Sequence, residues 1–522
     1  MSESAIREHR DTPVSDTAAQ VLWATAARVP DAPCVTDLGA GPGAGGDAVS
    51  YAELVRRAAR IAGGFHSAGL QPGERVALLL HNGLHYVEAY LGAIAAGLVV
   101  VPLNVRLLGA DHHHMLVDSG ARMLVTTAEF TPRIDDLAGI EGLQVVLADQ
   151  GGLRTLSSAG APLTEPLPRD PEAPASLMYT SGTTGEPKAV VLTHRSWERV
   201  AERTEEVLGY TDDEAILHVA PLTHGAGFLL LPTLRRGGHN LLCPRYDPAR
   251  TLELIDAGAT GMFLVPSMLR MLLDVLPAGW SPPDTLRRMY YAGSPIDADT
   301  LREAQHRFPG RMIQSFAQME SPMFFTVLDA QDHARACTDP GSDLVRCAGR
   351  VLPGVELAIV GDDDTVLPRG EPGEILARAP QTMTGYWNRP EATAATLARG
   401  WLHTGDIGYL TEDDYLYIVD RKKDMIVTGG SNVYAREVED VLARLPQVAE
   451  AAVVGLPDRT WGEAVTAVVV PAGPDRDEAA IIAGCRAVLA GYRAPKRVIF
   501  VSALPRNAYG KVLKRELRER LG

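Results

Sequence analysis

Residues 177–194, Leu177-Met-Tyr-Thr-Ser-Gly-Thr-Thr-Gly-Glu-Pro-Lys-Ala-Val-Val-Leu-Thr-His194, constrain the fold more than any other stretch. A short apolar run enters and a β-branched run leaves, so both flanks read as strands. Between them lie hydroxyls and glycines, then Pro187-Lys188. Gly182 and Gly185 permit the positive φ and close approach that let backbone N–H groups converge on one anion. Thr180, Ser181, Thr183 and Thr184 add hydroxyls, and Lys188 adds a mobile cation. The loop is a phosphate cradle, but not a Walker A loop, whose G-x-x-x-x-G-K-[ST] runs from a strand into a helix N-terminus. A loop closing two strands has no helix dipole, so hydroxyls, amides and lysine must carry the anion.

A chain of 522 residues is too long for one core, and at least two domains are expected. The formal net charge of −15 argues against non-specific nucleic-acid binding and docking on anionic lipid. Five cysteines without a C-x-x-C pair indicate neither a zinc site nor a disulfide framework, which fits a reducing cytoplasm. Met1–Gln20 is polar and acidic, so no secretory leader is expected. Ala89–Leu103 is broken by Gly92, Gly97 and Pro102 and is too short to span a bilayer.

Along the chain, helices (50–69, which is amphipathic, 85–96, 195–208) alternate with short apolar strands (75–80, 98–102, 215–220, 262–265, 289–292). That alternation predicts parallel sheets with helices on both faces. His112, His113 and His114 are adjacent on one helix and point in different directions, which disfavours a shared metal. From about Val345 short strands alternate with Gly/Pro/Asp turns, a small antiparallel unit of barrel type. The charged run Asp420–Asp424 suits an interdomain hinge. Beyond it, a helix at 436–445, strands at 451–454 and 464–470, a helix at 477–490 and a strand at 497–501 predict a compact α/β domain.

Taken together, these stretches resemble the adenylate-forming (ANL) superfamily, and within it the acyl-CoA synthetases. The likeness rests on Thr180–Lys188, Pro221-Leu-Thr-His-Gly225, Tyr291-Ala-Gly-Ser-Pro295, Phe316–Glu320, Trp401–Asp406, Asp420–Val433, Glu437-Val-Glu439, Val454–Asp458 with Trp461-Gly-Glu463, and Pro505–Lys511, in the family's order. It implies a large N-terminal domain, residues 1–420, of two doubly wound sheets plus a small β-barrel at about 345–420. A small mobile α/β lid, residues 421–522, would follow. It implies a cytoplasmic two-step ligase. ATP with Mg²⁺ converts a carboxylic acid to acyl-AMP and pyrophosphate, and a thiol, usually of coenzyme A, then displaces AMP. The resemblance also allows a homodimer.

Carried over residue by residue, Thr180, Ser181, Gly182, Thr183, Thr184 and Lys188 would hold the β- and γ-phosphates. Thr184 and Glu320 would hold Mg²⁺. Gly293, Ser294 and Pro295 would border the adenine, and Phe316 would stack on it. Asp406 and Arg421 would bind the ribose. Lys511 would bridge the carboxylate and the α-phosphate as the main catalytic residue, with Lys423 as the hinge. His224 would sit beside the substrate carboxylate in an acyl pocket with Phe228, Met262, Ser267, Phe316, Ala317 and Met323, fitting an aryl or medium aliphatic acid. Gly429 and Gly430 would admit a pantetheine arm, with Trp461 and Tyr492 on the CoA nucleotide.

The family's Tyr-Gly-x-Thr-Glu reads Phe316-Ala-Gln-Met-Glu320 here. Phe316 keeps the stacking face, Ala317 adds a methyl beside the acyl group, and Met319 removes a hydroxyl from the α-phosphate. An active enzyme with altered selectivity is expected. The rival readings are transfer to a carrier-protein thiol or an amine, a phosphotransferase releasing ADP, and a non-catalytic nucleotide-binding scaffold.

Overall fold

A computed structural model describes residues 17–39, 46, 48–180, 187–339, 341–429, 431–506 and 512–522. The chain divides into two compact units. One runs to Glu356 and takes in Arg378–Leu402; the other comprises Leu357–Ala377 and His403–Gly522.

The first unit is built on two sheets. In the seven-stranded sheet the strands lie in the order Gly385–Tyr386, Lys188–Thr193, Pro174–Thr180, Val99–Pro102, Arg75–Leu79, Ala121–Thr126, Gln144–Leu147. The strands from Pro174–Thr180 to Gln144–Leu147 pair in parallel, and Lys188–Thr193 and Gly385–Tyr386 are added antiparallel at one edge. Arg75–Leu79 and Val99–Pro102 are nearly continuous apolar runs, because helices such as Tyr51–Ser67 and Leu84–Ala95 leave no solvated face. Ser50 caps the first of these helices through the Glu53 amide, while the Glu53 carboxylate is taken by Arg56 and Arg57.

The nine-stranded sheet has the order Arg350–Val351, Ser321–Leu328, Met312–Gln318, Arg288–Tyr291, Gly261–Leu264, Ala215–His218, His239–Leu242, Pro33–Asp37, Ala48–Ser50. Its middle is parallel and both ends are antiparallel. The segment before Ser50 carries no expected element, yet it folds as the helix Ala18–Arg28 and two edge strands. The pairing of Val35–Asp37 with Asn240–Leu242, remote in sequence, joins that edge to the rest of the sheet. The three histidines on the helix Gly109–Ser119 bond separately to the carbonyls of Asn104, Asp135 and Pro187, so they share no ligand.

In the second unit, Asp406–Leu410 pairs antiparallel with Leu416–Arg421, the antiparallel texture expected of this region. The carboxy-terminal part packs the helices Ala435–Leu442 and Glu478–Arg486 on the hairpin Val448–Asp458/Gly462–Pro471. Val438, Leu442, Val453, Val465 and Ile481 form its core. Among the described residues no helix is long and apolar enough to cross a membrane.

A buried ion pair fastens the amino-terminal ends of inner strands of the second sheet. Arg288 Nη1 lies 2.8 Å from Glu214 Oε2, which also accepts from the Thr260 hydroxyl, while Oε1 accepts from the Thr211 amide. Burial pushes the Glu214 carboxyl up, but these bonds and the Arg288 charge outweigh it and hold it below its ordinary value. Arg288→Ala removes the nearer of two charges on that carboxylate, Arg287 Nη2 remaining at 3.2 Å, and is expected to cost about 1.5–3 kcal/mol, read as a lowered denaturation midpoint. A midpoint within error of the parent's would refute this.

Candidate active site

The phosphate-loop flanks form the expected hairpin, with Thr180 paired to Lys188. Ser181, Gly182, Thr183, Thr184, Gly430 and Lys511 lie outside the described residues. Lys188 opens the second strand, and its Nζ stands 5.5 Å from the Tyr386 ring centroid. The Tyr386 hydroxyl donates to Glu320 Oε1 at 2.7 Å. Glu320 sits in a two-residue turn, because Gln318 pairs with Ser321 across the Met312–Gln318/Ser321–Leu328 hairpin. Lysine, phenol and carboxylate, far apart in sequence, are thus brought together. Burial, then the Glu320 charge, pushes the Tyr386 phenol up, so it stays a donor.

Tyr386 escaped the sequence reading. Its position is fixed by backbone: Val190 pairs with Tyr386, the Met383 amide donates to the Glu320 carbonyl at 2.7 Å, and the Tyr386 amide donates to Thr393 Oγ1 at 2.9 Å. The available signal was Gly385 followed by two aromatics. A Cβ at Gly385 would meet Thr393 Cγ2 at 2.6 Å, so only glycine passes there. Glu320 suits a hard cation, since Oε1 is oriented by Tyr386 and Oε2 has no partner among the described residues.

His224 follows the strand Ala215–His218 and opens onto the short helical turn Gly225–Leu229. Its approach is held by Asn82, a second residue the sequence did not reveal. Asn82 is buried past the end of Arg75–Leu79. Its Nδ2 donates to the carbonyls of His218 (3.2 Å) and Ala220 (2.8 Å), and its Oδ1 accepts from the Leu222 amide (2.8 Å). One amide therefore ties the first sheet to the segment that carries His224. Nδ1 of His224 lies 3.1 Å from the Thr223 hydroxyl. Burial, assisted by the Arg106 charge, pulls the imidazole down to about 4.

Gly293, in the left-handed region at φ 91°, and its neighbours Ser294 and Pro295 form an exposed turn past Arg288–Tyr291. Phe316, Ala317 and Met319 are half-buried on the Glu320 hairpin, and the Phe316 ring meets Phe325 edge-on. Phe228 and Met262 are buried, and Ser267 is exposed at the start of Pro266–Val275. Phe228 packs on Trp197 at 4.6 Å. Strand alternation turns Met262 to the face opposite Phe263. Met323, at φ 75°, gives its carbonyl to the Ser315 hydroxyl at 2.6 Å.

The second unit places the remaining residues. Asp406 and Arg421 face each other across paired strands, with Arg421 Nε 2.6 Å from the buried carboxylate. Buried Glu374, absent from the sequence reading, receives Lys422 at 2.8 Å and the Gly405 amide at 3.2 Å. On the other side of Lys423, Asp424 is held by Arg518 at 3.1 Å. Lys423 itself is exposed, and partial desolvation by its surroundings pulls its ammonium down. Gly429 lies at φ 57° against Trp461, whose Cε3 would stand 3.0 Å from an added Cβ. Exposed Tyr492 accepts from Arg493 at 2.9 Å, and Lys496 lies 5.3 Å from the Trp461 ring. Residues 507–511 are bracketed by an Arg506–Val512 bridge.

Residues 22–387 match the family model described as AMP-binding enzyme, and residues 437–511 match the AMP-binding enzyme C-terminal domain. The chain is similar to a feruloyl-CoA synthase of Amycolatopsis sp (39% identical, 92% of this chain and 95% of that protein). It is also similar to the fatty acid–[acyl-carrier-protein] ligase ScoC of Streptomyces coeruleorubidus (37% identical, 91% and 92%). Among solved structures, o-succinylbenzoate CoA synthetase from Bacillus subtilis, in complex with its acyl-adenylate intermediate, superimposes with TM-score 0.85 at 30% identity over 96% of this chain and 98% of that one. The chain belongs to the AMP-binding enzyme family, within the adenylate-forming superfamily. It is an AMP-forming acid–thiol ligase in class.

A neutral His224 carries a consequence for pH. With its imidazole at about 4 rather than 6.5, acid-dependent kcat/KM should show no ionisation near 6.5 that belongs to His224; protonation sets in only toward pH 4. Profiles of the parent and His224→Asn check this, and an inflection near 6.5 present only in the parent would overturn it.

Proposed function

We propose that this chain activates an aryl or medium aliphatic carboxylic acid by adenylation and passes the acyl group to coenzyme A. The observation carrying the reading is the convergence of Lys188, Tyr386 and Glu320 at the mouth of the phosphate hairpin. A cation and an oriented carboxylate there suit a Mg·ATP polyphosphate tail. In the first step a substrate carboxylate oxygen attacks the α-phosphorus, and the bond to the β-phosphate oxygen breaks. Lys188, Thr180, Ser181, Gly182, Thr183 and Thr184 hold the departing pyrophosphate, and Lys511 neutralises the two anions that must meet. Glu320 and Thr184 would hold Mg²⁺, which would supply further charge neutralisation on the phosphates. Neutral His224 adds no charge beside the carboxylate and closes the pocket. Asp406 and Arg421 take the ribose; Gly293, Ser294, Pro295 and Phe316 take the adenine.

In the second step a thiol attacks the acyl carbon, the carbon–oxygen bond to AMP breaks, and the thiol proton passes to solvent. Lys423 serves as pivot between residues 1–420 and 421–522. Its neighbours support that role, since Lys422 is anchored upstream by Glu374 and Asp424 downstream by Arg518. Gly429 lets the Trp461 ring lie directly against the backbone, a flat surface suited to a pantetheine arm. A carrier-protein thiol is the second reading, favoured by the likeness to ScoC.

With acid and CoA, AMP and pyrophosphate should form in equal amounts; ADP with phosphate would sink the proposal. Lys511→Ala should lower acid-dependent pyrophosphate exchange about 10²- to 10³-fold, and unchanged exchange would remove Lys511 from the mechanism. Trp461→Ala should raise KM for CoA while leaving exchange intact, whereas equal kinetics with CoA in parent and variant would favour a carrier-protein acceptor.

A further inference from the structure

We infer that Phe263 is the specificity-determining floor of the acyl site and limits it to compact acids, single-ring or medium-length, against long chains. The inference rests on the reading of His224 as the residue beside the substrate carboxylate.

Phe263 lies in the strand Gly261–Leu264, where alternation sends it to the face opposite Met262. A Cβ placed on Gly225 would meet its Cζ at 2.9 Å and Cε1 at 3.1 Å. The ring therefore stands against the backbone next to His224, in a position that only glycine at 225 allows. It is almost fully buried.

Phe263 cannot retreat, because what lies behind it is fixed by polar bonds. The Tyr290 ring packs on Phe263 with centroids 5.3 Å apart. The Tyr290 hydroxyl lies 2.6 Å from the Ser315 hydroxyl, and Ser315 donates to the Met323 carbonyl at 2.6 Å. Tyr290 and Ser315 are both buried, so swinging the tyrosine aside would strand hydroxyls in an apolar interior. The buried Phe324 ring also packs on Tyr290, with centroids 5.8 Å apart. Met323 holds φ 75°, a backbone state that a methionine adopts only where its surroundings insist. An acyl chain entering beside His224 toward Gly225 thus ends on a ring with rigid backing. Removing the ring opens depth along that line; Leu at 263 opens part of it.

The test is a panel of straight-chain acids from butanoate to hexadecanoate, with benzoate and 4-alkylbenzoates. Acid-dependent pyrophosphate release and trapped acyl-AMP are measured for the parent, Phe263→Leu and Phe263→Ala. The parent should show a break in kcat/KM of about tenfold or more beyond one length, the size of discrimination a steric pocket delivers. Both variants should move the break to longer acids, Phe263→Ala further. If Phe263→Ala does not fold by circular dichroism, Phe263→Leu decides. A break at the same length in the folded variants, or a parent that takes hexadecanoate as well as octanoate, overturns this inference alone. A parent that releases no pyrophosphate with any acid overturns the functional reading, and this inference with it.

Discussion

The pairing of Thr180 with Lys188 is the constraint on which the site in the first unit depends. A parallel sheet normally ends its strands in loops leading to helices. Here Pro174–Thr180 instead pairs antiparallel with Lys188–Thr193, so the intervening loop is closed by strand pairing at its base. That reversal has two results. It starts the next strand at Lys188, directing the lysine at the loop's mouth. It also presents a free edge, on which Gly385–Tyr386 is laid. The phenol that orients Glu320 therefore reaches the site only because the hairpin created an edge for its strand. Without the reversal, Lys188, Tyr386 and Glu320 would have no common location.

Much of this was legible in the sequence because it is local. Hydroxyl-glycine content between two apolar runs dictates a loop between strands, and alternating helix and strand dictates parallel sheets. Asp406 and Arg421 were assignable by resemblance, and the strand register then sets them opposite one another. What escaped is tertiary. Asn82 and Glu374 look like ordinary polar residues near strand ends. Their importance lies in being buried beside backbone groups from remote segments, where an unmet N–H or C=O is costly. No local pattern encodes those partners. The edge strand Pro33–Asp37 is similar, since five residues gain meaning only beside His239–Leu242. Met262 and Phe263 show the finest grain: adjacent apolar residues in a strand buried on both faces cannot be assigned a side from composition, and only the ring contact with Tyr290 does so.

The buried amides and carboxylates also explain how a loop can be held rigidly without helix or strand structure. Asn82 meets three backbone groups of one short segment, so a single side chain answers much of the backbone polarity that the chain reversal before His224 exposes to the interior. Glu374 does the same work around Gly405 and Lys422 with a charged partner. Both clamps draw on a low-dielectric setting, in which a satisfied bond is strong and a missing one is penalised.

The departures at Ala317 and Met319 gain a physical context from the same hairpin. The turn Met319–Glu320 is only two residues long, so Glu320 cannot be displaced without breaking the Gln318–Ser321 pair. Met319 packs against the core of the unit, where an apolar side chain gains burial and a hydroxyl would need a partner. Met319 thus contributes packing that stiffens the turn. Glu320 is then held from three directions: by the turn, by the Met383 amide on its carbonyl and by the Tyr386 phenol on its carboxylate. On the proposed reading, a site arranged this way would keep its geometry for a polyphosphate tail while lacking one hydroxyl contact at the α-phosphate. On the same reading, the intact Glu320 and Lys188 preserve the capacity to adenylate, and the methyl of Ala317 beside the acyl group is what would alter selectivity.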